Sequence, residues 1–128
     1  MEEFTVEEVR LLQRQAKRKQ AQGMNKAERI VEAYLRATRP VALEIAYEGM
    51  TIHLGGITYT PDFVVVMPGQ DREYVEVKEA DGDWKGHNLR ETKAKLHFLR
   101  HVAESFGHRV YLITVEGKRV KTVVEIMP

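Results

Sequence analysis

Cysteine is absent from the 128 residues. That absence removes disulfides, thiolate metal sites and cysteine nucleophiles, and leaves oxygen and imidazole as the side-chain donors for any metal. Long hydrophobic runs are missing too. The longest uninterrupted apolar stretch covers residues 63–67, far short of the roughly 20 residues a spanning helix needs. The opening Met1-Glu2-Glu3 is acidic with no apolar signal region behind it, so the expectation is an intracellular protein without a membrane segment. An excess of one charge is also lacking. A net charge of +1 gives no global basic surplus of the kind that marks many nucleic-acid binders.

What is present describes one compact domain over residues 1–128. Hydrophobic residues make up 43% and charged residues 30% of the chain, an ordinary globular balance that excludes a disordered chain. The basic residues are clustered: Arg10, Arg14, Lys17, Arg18 and Lys19 fall in the second half of one predicted helix, and Arg90, Lys93, Lys95 and Arg100 on another. Taken alone, each cluster reads as a solvated helix face.

The first helix is announced by Thr5 with Glu8 three residues on, a capping box, and by Phe4 and Val9 placed as a hydrophobic staple. Its stripe of Val6, Val9, Leu12 and Ala16 is narrow, so residues 1–22 read as a helical arm lying on something, with residues 25–128 as the core. A second helix over residues 25–38 carries Ala27, Ile30, Val31, Tyr34 and Leu35 on one face. Glu28 sits at the margin of that face, where a carboxylate can reach the sheet. From residue 41 the period becomes two, giving a strand over 41–47 with Val41, Leu43, Ile45 and Tyr47 in alternation. A short segment at 51–54 follows, with Gly55-Gly56 as a turn. Residues 61–67 and 72–78 form a hairpin around Pro68-Gly69. A long helix over residues 88–106, with Glu91 completing an N-cap pattern and Leu96, Leu99, Ala103 and Phe106 inward, leads to strands over 110–115 and 120–126. The predicted order is α-α-β-β-β-β-α-β-β, an α/β or mixed α+β sheet. The strand, helix, strand unit near the end implies one parallel pairing through a right-handed crossover.

The hairpin carries the chemistry. In its second strand Tyr74, Glu76 and Lys78 share a face opposite Val75 and Val77, and apolar burial favours the register that brings Asp62 onto the face of Glu76 and Lys78. Two carboxylates with an adjacent ammonium form a compact oxygen site suited to a hard divalent cation such as magnesium, which retains waters and leaves room for a phosphate. A metal there lowers the pKa of a water and offsets charge on phosphorus, and Lys78 is placed to orient or activate the attacking water. The competing structural reading is an exposed same-face pair, Glu76 with Lys78, and a turn capped by Asp62.

Pro61-Asp62 followed by Glu76-Val77-Lys78, on this order of elements, resembles the PD-(D/E)XK nuclease superfamily, whose restriction-endonuclease-like core is α-β-β-β-α-β. The chain then adds a helix before that core and a strand after it. Within the superfamily, residues 25–115 look most similar to the phage endonuclease I-type Holliday junction resolvases. The resemblance implies catalytic Glu28, Asp62, Glu76 and Lys78. It also implies two Mg²⁺ or Mn²⁺ ions held by Glu28, Asp62, Glu76 and the backbone carbonyl of Val77, with no small-molecule cofactor. The implied partners are branched four-way DNA and a second copy of the chain as a homodimer, in the cytoplasm of the host cell if the protein is phage-encoded. In that setting Arg14, Lys17, Arg18, Lys85, Arg90, Lys93 and Lys95 become candidate phosphate contacts, and the first helix becomes a candidate dimer contact.

Three further features stand beside the motif. His97 and His101, at i and i+4, have a zinc-compatible spacing or are exposed, phosphate-facing histidines. Trp84 either stacks on an unpaired base or covers the sheet edge. The rival functional classes are a nuclease for ends, flaps, mismatches or modified DNA, and a DNA-binding or scaffolding module that keeps the fold without catalysis.

Overall fold

A computed structural model of the chain describes residues 4–21, 23–80 and 86–127. Helix α1 (Val6–Ala21) opens on the expected capping box, in which the Glu8 amide donates to Thr5 Oγ1 at 3.1 Å and the Thr5 amide to Glu8 Oε1 at 3.0 Å. Helix α2 (Lys26–Thr38) opens on a second capping box, with Asn25 as the cap and Glu28 as its reciprocal acceptor. Strands β1 (Glu44–Tyr47), β2 (Ile52–Leu54), β3 (Ile57–Tyr59), β4 (Phe63–Val66) and β5 (Arg72–Glu79) follow. Helix α3 (Gly86–Phe106) then leads to β6 (Arg109–Glu116) and β7 (Arg119–Glu125).

The protein is a mixed α+β structure built on a five-stranded sheet of order β1-β4-β5-β6-β7, with β2 and β3 as a separate hairpin. The β5–α3–β6 unit supplies the parallel pair, while β1–β4, β4–β5 and β6–β7 are antiparallel. Strand β5 is central and covered on both faces, which is why Glu73 through Lys78 are all buried. On one face α2 packs Ala27, Val31 and Leu35 against Phe63, Val65, Val75, Val77, Ile113 and Val115. On the other, α1, α3 and the β2–β3 hairpin gather Leu11, Leu12, Ile57, Tyr59, Phe98, Leu99 and Val102 over Val64, Tyr74 and Val110. Among the described residues no helix is long and apolar enough to cross a membrane.

Five expectations are corrected here. Strand β3 was not expected: it is the short second arm of a hairpin whose turn, Gly55-Gly56, has both φ angles positive (58° and 80°), as a two-residue turn between twisted strands requires. Strand β1 is shorter than 41–47 because its partner β4 ends at Val66, opposite Glu44. Leu43 donates one more bond to the Val66 carbonyl, and its side chain, like that of Val41, is exposed. Helix α3 starts at Gly86, so Asn88 and Glu91 both lie inside it rather than at its start. The inward residues of α3 are centred on Ala94, Phe98, Leu99 and Val102, with Phe106 exposed. Finally, the buried face of α1 is wider than the expected stripe, because Leu11 is buried with Leu12 in this chain's own core.

Candidate active site

Pro61 has no amide hydrogen to give to a ladder, and the β4–β5 pairing begins one residue after Asp62 with Phe63 opposite Val75. One step further along that register sets Asp62 across from Glu76. Beyond this point β5 continues to Glu79 along β6, while its other edge has run out of β4. The Val77 amide emerges on that bare edge and donates to Asp62 Oδ2 at 2.6 Å. A buried amide must find an acceptor, so the Asp62 carboxylate does the work of the missing strand and is fixed in place by it. The N–H and C=O of one residue leave an extended strand on the same side, so the Val77 carbonyl also faces this edge.

Glu76 and Lys78 continue the face of Tyr74 toward the same end of the sheet. They are 1% and 4% exposed, with Lys78 Nζ at 3.7 Å from Glu76 Oε1. The reading of Glu76 and Lys78 as an exposed strand pair is thereby excluded. From the other side α3 brings Lys95, 6% exposed, to 3.8 Å from the same Oε1, and Glu91 one turn earlier lies 3.3 Å from Lys95. Burial is the main influence on the Lys95 ammonium and pushes its pKa down, against the carboxylates of Glu76, Asp62 and Glu91.

Glu28 reaches this end of the sheet from the first turn of α2. Its Oε1 accepts from the Asn25 amide at 2.9 Å and from the Tyr47 hydroxyl at 3.1 Å. Burial first, then the charge of Asp62 and a hydrogen bond with it, push the Glu28 carboxyl up to about 7, with the Asn25 cap pulling the other way. Tyr47 is itself pushed above its ordinary value by burial and by Glu28, so it remains a donor. Glu28 therefore has two jobs, capping α2 and standing beside Asp62.

The four residues singled out from the sequence, Glu28, Asp62, Glu76 and Lys78, thus converge at one end of the sheet, and Lys95 and Glu91 join them. Lys95 was expected as a solvent-facing phosphate contact; it is instead buried against Glu76. Arg14, Arg90 and Lys93 are exposed, Arg90 in an ion pair with Glu7 at 3.0 Å. Lys85 and Trp84, and the side chains of Lys17 and Arg18, lie outside the described residues. His97 is partly buried and His101 is buried, so neither stands as an exposed, phosphate-facing histidine. Their rings lie 5.2 Å apart under Phe4, which stacks on His97 at 4.2 Å, and His97 Nδ1 is 2.7 Å from Glu8 Oε2. Both histidines hold α1 onto α3.

A cleft of about 240 Å³ opens at this end of the sheet, between Lys26 and Ala27 of α2, Glu79 of β5 with Ala80 after it, and Val115 and Gly117; it neighbours the site in sequence but none of the clustered side chains lines it. A larger one, of about 380 Å³, lies at the opposite end of the sheet around Arg72, His108 and Arg109 and contains none of the clustered acids. Among the described residues no three acidic or imidazole groups already converge as a metal cage. Magnesium does not need one, since it takes one or two carboxylates and keeps several waters. The donor set of Asp62, Glu76 and the Val77 carbonyl fits that preference, and the proton-retaining pressure of Asp62 on Glu28 is what a cation between them would relieve.

No family model matches the chain, and no curated protein matches it in sequence. Among solved structures, that of SSO0001 is similar with a TM-score of 0.43 at 18% identity, over 78% of this chain and 48% of that one. The chain thus spans about half the length of that protein, and a likeness this distant carries no argument about function.

Proposed function

We propose that this chain is a divalent-metal-dependent DNA endonuclease with a PD-(D/E)XK core, in which Asp62, Glu76 and Lys78 are catalytic and Glu28 assists Asp62. One observation carries the reading: a strand register that sets Asp62 across from Glu76, with Lys78 on the same buried face. Charged groups at the end of a sheet are costly to bury, and three of them together, with the carboxyl of Glu28 raised beside them, mark a functional site more readily than a structural one.

A magnesium or manganese ion held by Asp62, Glu76 and the Val77 carbonyl, with Glu28 behind Asp62, would supply Lewis-acid stabilisation of the phosphate and a more acidic water. A second ion at Glu28 belongs to the same proposal. The chain's own residues do the rest. Asp62 is held rigid by the Val77 amide. Glu76 keeps Lys78 directed along the face, and the Lys78 ammonium holds the attacking water and offsets charge that builds on the phosphate. Arg14, Arg90 and Lys93 offer exposed positive charge for the DNA backbone.

The finer reading, a homodimer that cuts four-way junctions by paired nicks, rests on the resemblance to the endonuclease I-type resolvases. A two-fold dimer supplies two cuts with the required symmetry. Val9 and Leu12 of the α1 stripe do not contribute to that case, because they pack into this chain's own core beside β3 and α3. The test is incubation with Mg²⁺ and a panel of duplex, single-strand, flap and four-way DNA. Cleavage of the four-way junction in preference to duplex is expected. Cleavage of another member of the panel would replace the substrate and keep the chemistry, and no cleavage of any member by folded protein would refute the nuclease.

A further inference from the structure

We propose that Lys95 is a resident counter-cation for Glu76, holding the place a divalent metal takes, and that Glu91 receives its ammonium when the metal binds. This inference rests on the metal-dependent reading above. Two ammoniums, those of Lys78 and Lys95, face one oxygen of Glu76, at 3.7 and 3.8 Å. A carboxylate buried this deeply needs balancing charge when no metal is bound, and two lysines give it. They differ in what else they can do. Lys78 stands two residues along the same strand as Glu76, its stem fixed by the sheet. Lys95 comes from α3, and its Nζ is already nearer Glu91, at 3.3 Å, than Glu76.

Glu91 precedes Lys95 by one helical turn, the order in which such a pair is favoured. The lysine ammonium is a compact charge on a four-carbon stem, so it moves between two carboxylates without the reorientation a guanidinium fork would need. A dication arriving at Asp62 and Glu76 repels both ammoniums. Lys95 yields, because its Nζ already lies nearer Glu91 than Glu76. Lys95 therefore offsets the charge of Glu76 in the metal-free site and sets a ceiling on metal affinity, while Glu91 sets how easily that ceiling is reached. In this role Lys95 is a positioning residue, and the burial of its charge next to Glu76 has a use that the phosphate-contact reading did not supply.

The test is titration of the full chain with Mn²⁺ alone, without DNA, followed by electron paramagnetic resonance and calorimetry. Wild type, Lys95→Met, Glu91→Gln and the double variant are compared, each checked for folding by circular dichroism. Lys95→Met should bind Mn²⁺ about tenfold tighter, since a competing unit charge close to the ligand is gone. Glu91→Gln should bind about tenfold weaker, and this loss should vanish in the Lys95→Met background, because Glu91 acts through Lys95. If Lys95→Met alone does not fold, the double variant, which loses both charges together, should still bind tighter than Glu91→Gln. Equal affinity of wild type and Lys95→Met overturns the counter-cation, and a Glu91→Gln effect of the same size in both backgrounds overturns the transfer. Absence of Mn²⁺ binding by wild type overturns the metal reading itself, and the inference with it.

Discussion

Replacing Lys78 by methionine separates its chemistry from its share in the fold. The ammonium lies 3.7 Å from Glu76 Oε1, a gross attraction of about 4 kcal/mol at an effective dielectric of about 20. Most of this does not reach the net stability. Methionine is relieved of the cost of burying a charge, and its removal also ends the repulsion between Lys78 and Lys95, which still balances Glu76 at 3.8 Å. Breaking a buried pair outright costs roughly 3–5 kcal/mol; with a second cation in place, Lys78→Met should cost about 1–2 kcal/mol in urea unfolding. The chemical step has no such substitute, because the Lys95 ammonium is shared with Glu91 at 3.3 Å. In a single-turnover assay at saturating Mg²⁺ and DNA the rate should fall by about 10²- to 10⁴-fold, with DNA affinity within about threefold of wild type. An unchanged rate would refute the role of Lys78 at the water. A stability loss above about 4 kcal/mol would show that Lys78, and not the pair of lysines, neutralises Glu76.

Two other outcomes follow from the same geometry. The Glu28 carboxyl, raised from 4.5 to about 7 by burial and by Asp62, keeps its proton when folded at a pH where the unfolded chain has lost it. Stability of the metal-free protein should therefore fall as pH rises from about 4.5 to about 7, by roughly 1–2 kcal/mol once solvent screening is allowed for. Glu28→Gln should flatten that slope, and an unchanged slope in urea titrations across this range would refute the assignment. Leu12→Ala should cost about 3 kcal/mol, since Leu12 is 0% exposed within the core over Tyr59 and Phe98; a loss below about 1 kcal/mol in chemical denaturation would return α1 to the status of an arm.

Much of this was legible in the residues. Apolar burial favoured the register that brings Asp62 onto the face of Glu76 and Lys78, and the pairing of Phe63 with Val75 sets Asp62 across from Glu76 in particular. The same register puts Val65 opposite an acid, Glu73. Glu73 tolerates that apolar face because the Arg39 guanidinium, reaching over from the end of α2, pairs with it and also lies 5.4 Å from the Tyr111 ring. Such a partner, 34 residues away in sequence, leaves no periodic signal. Strand β3 was within reach, since Ile52-x-Leu54 and Ile57-x-Tyr59 flank Gly55-Gly56 as a two-residue hairpin does, but three residues of alternation are too few to stand out. The Asn25-x-x-Glu28 capping box is equally readable in the residues, and it gives Glu28 a capping role beside its role as an acid.

Lys95 and Glu91 were misplaced for a deeper reason. Charged side chains on a helix are assigned to solvent by default because burying them is costly. That cost is offset here only by Glu76, which the sheet brings to α3. Yet their spacing was visible: positions 91, 94, 95, 98, 99 and 102 follow one helical stripe, and the acid and lysine at its start lie at the end where the sheet turns from valines to Glu76 and Lys78. Charges that continue an apolar stripe, on a helix that follows a motif strand, are the signal that sequence reasoning can use.

The most direct measurement of the central claim is single-turnover cleavage by Asp62→Asn in Mg²⁺, with DNA binding followed in parallel. Asparagine keeps an acceptor for the Val77 amide, which Asp62 takes at 2.6 Å, so the fold of the site is retained while the charge is lost. Cleavage should fall by at least about 10³-fold with DNA affinity within about threefold of wild type, since binding rests mainly on phosphate contacts. An Asp62→Asn protein that cuts at a rate near that of wild type would contradict the account.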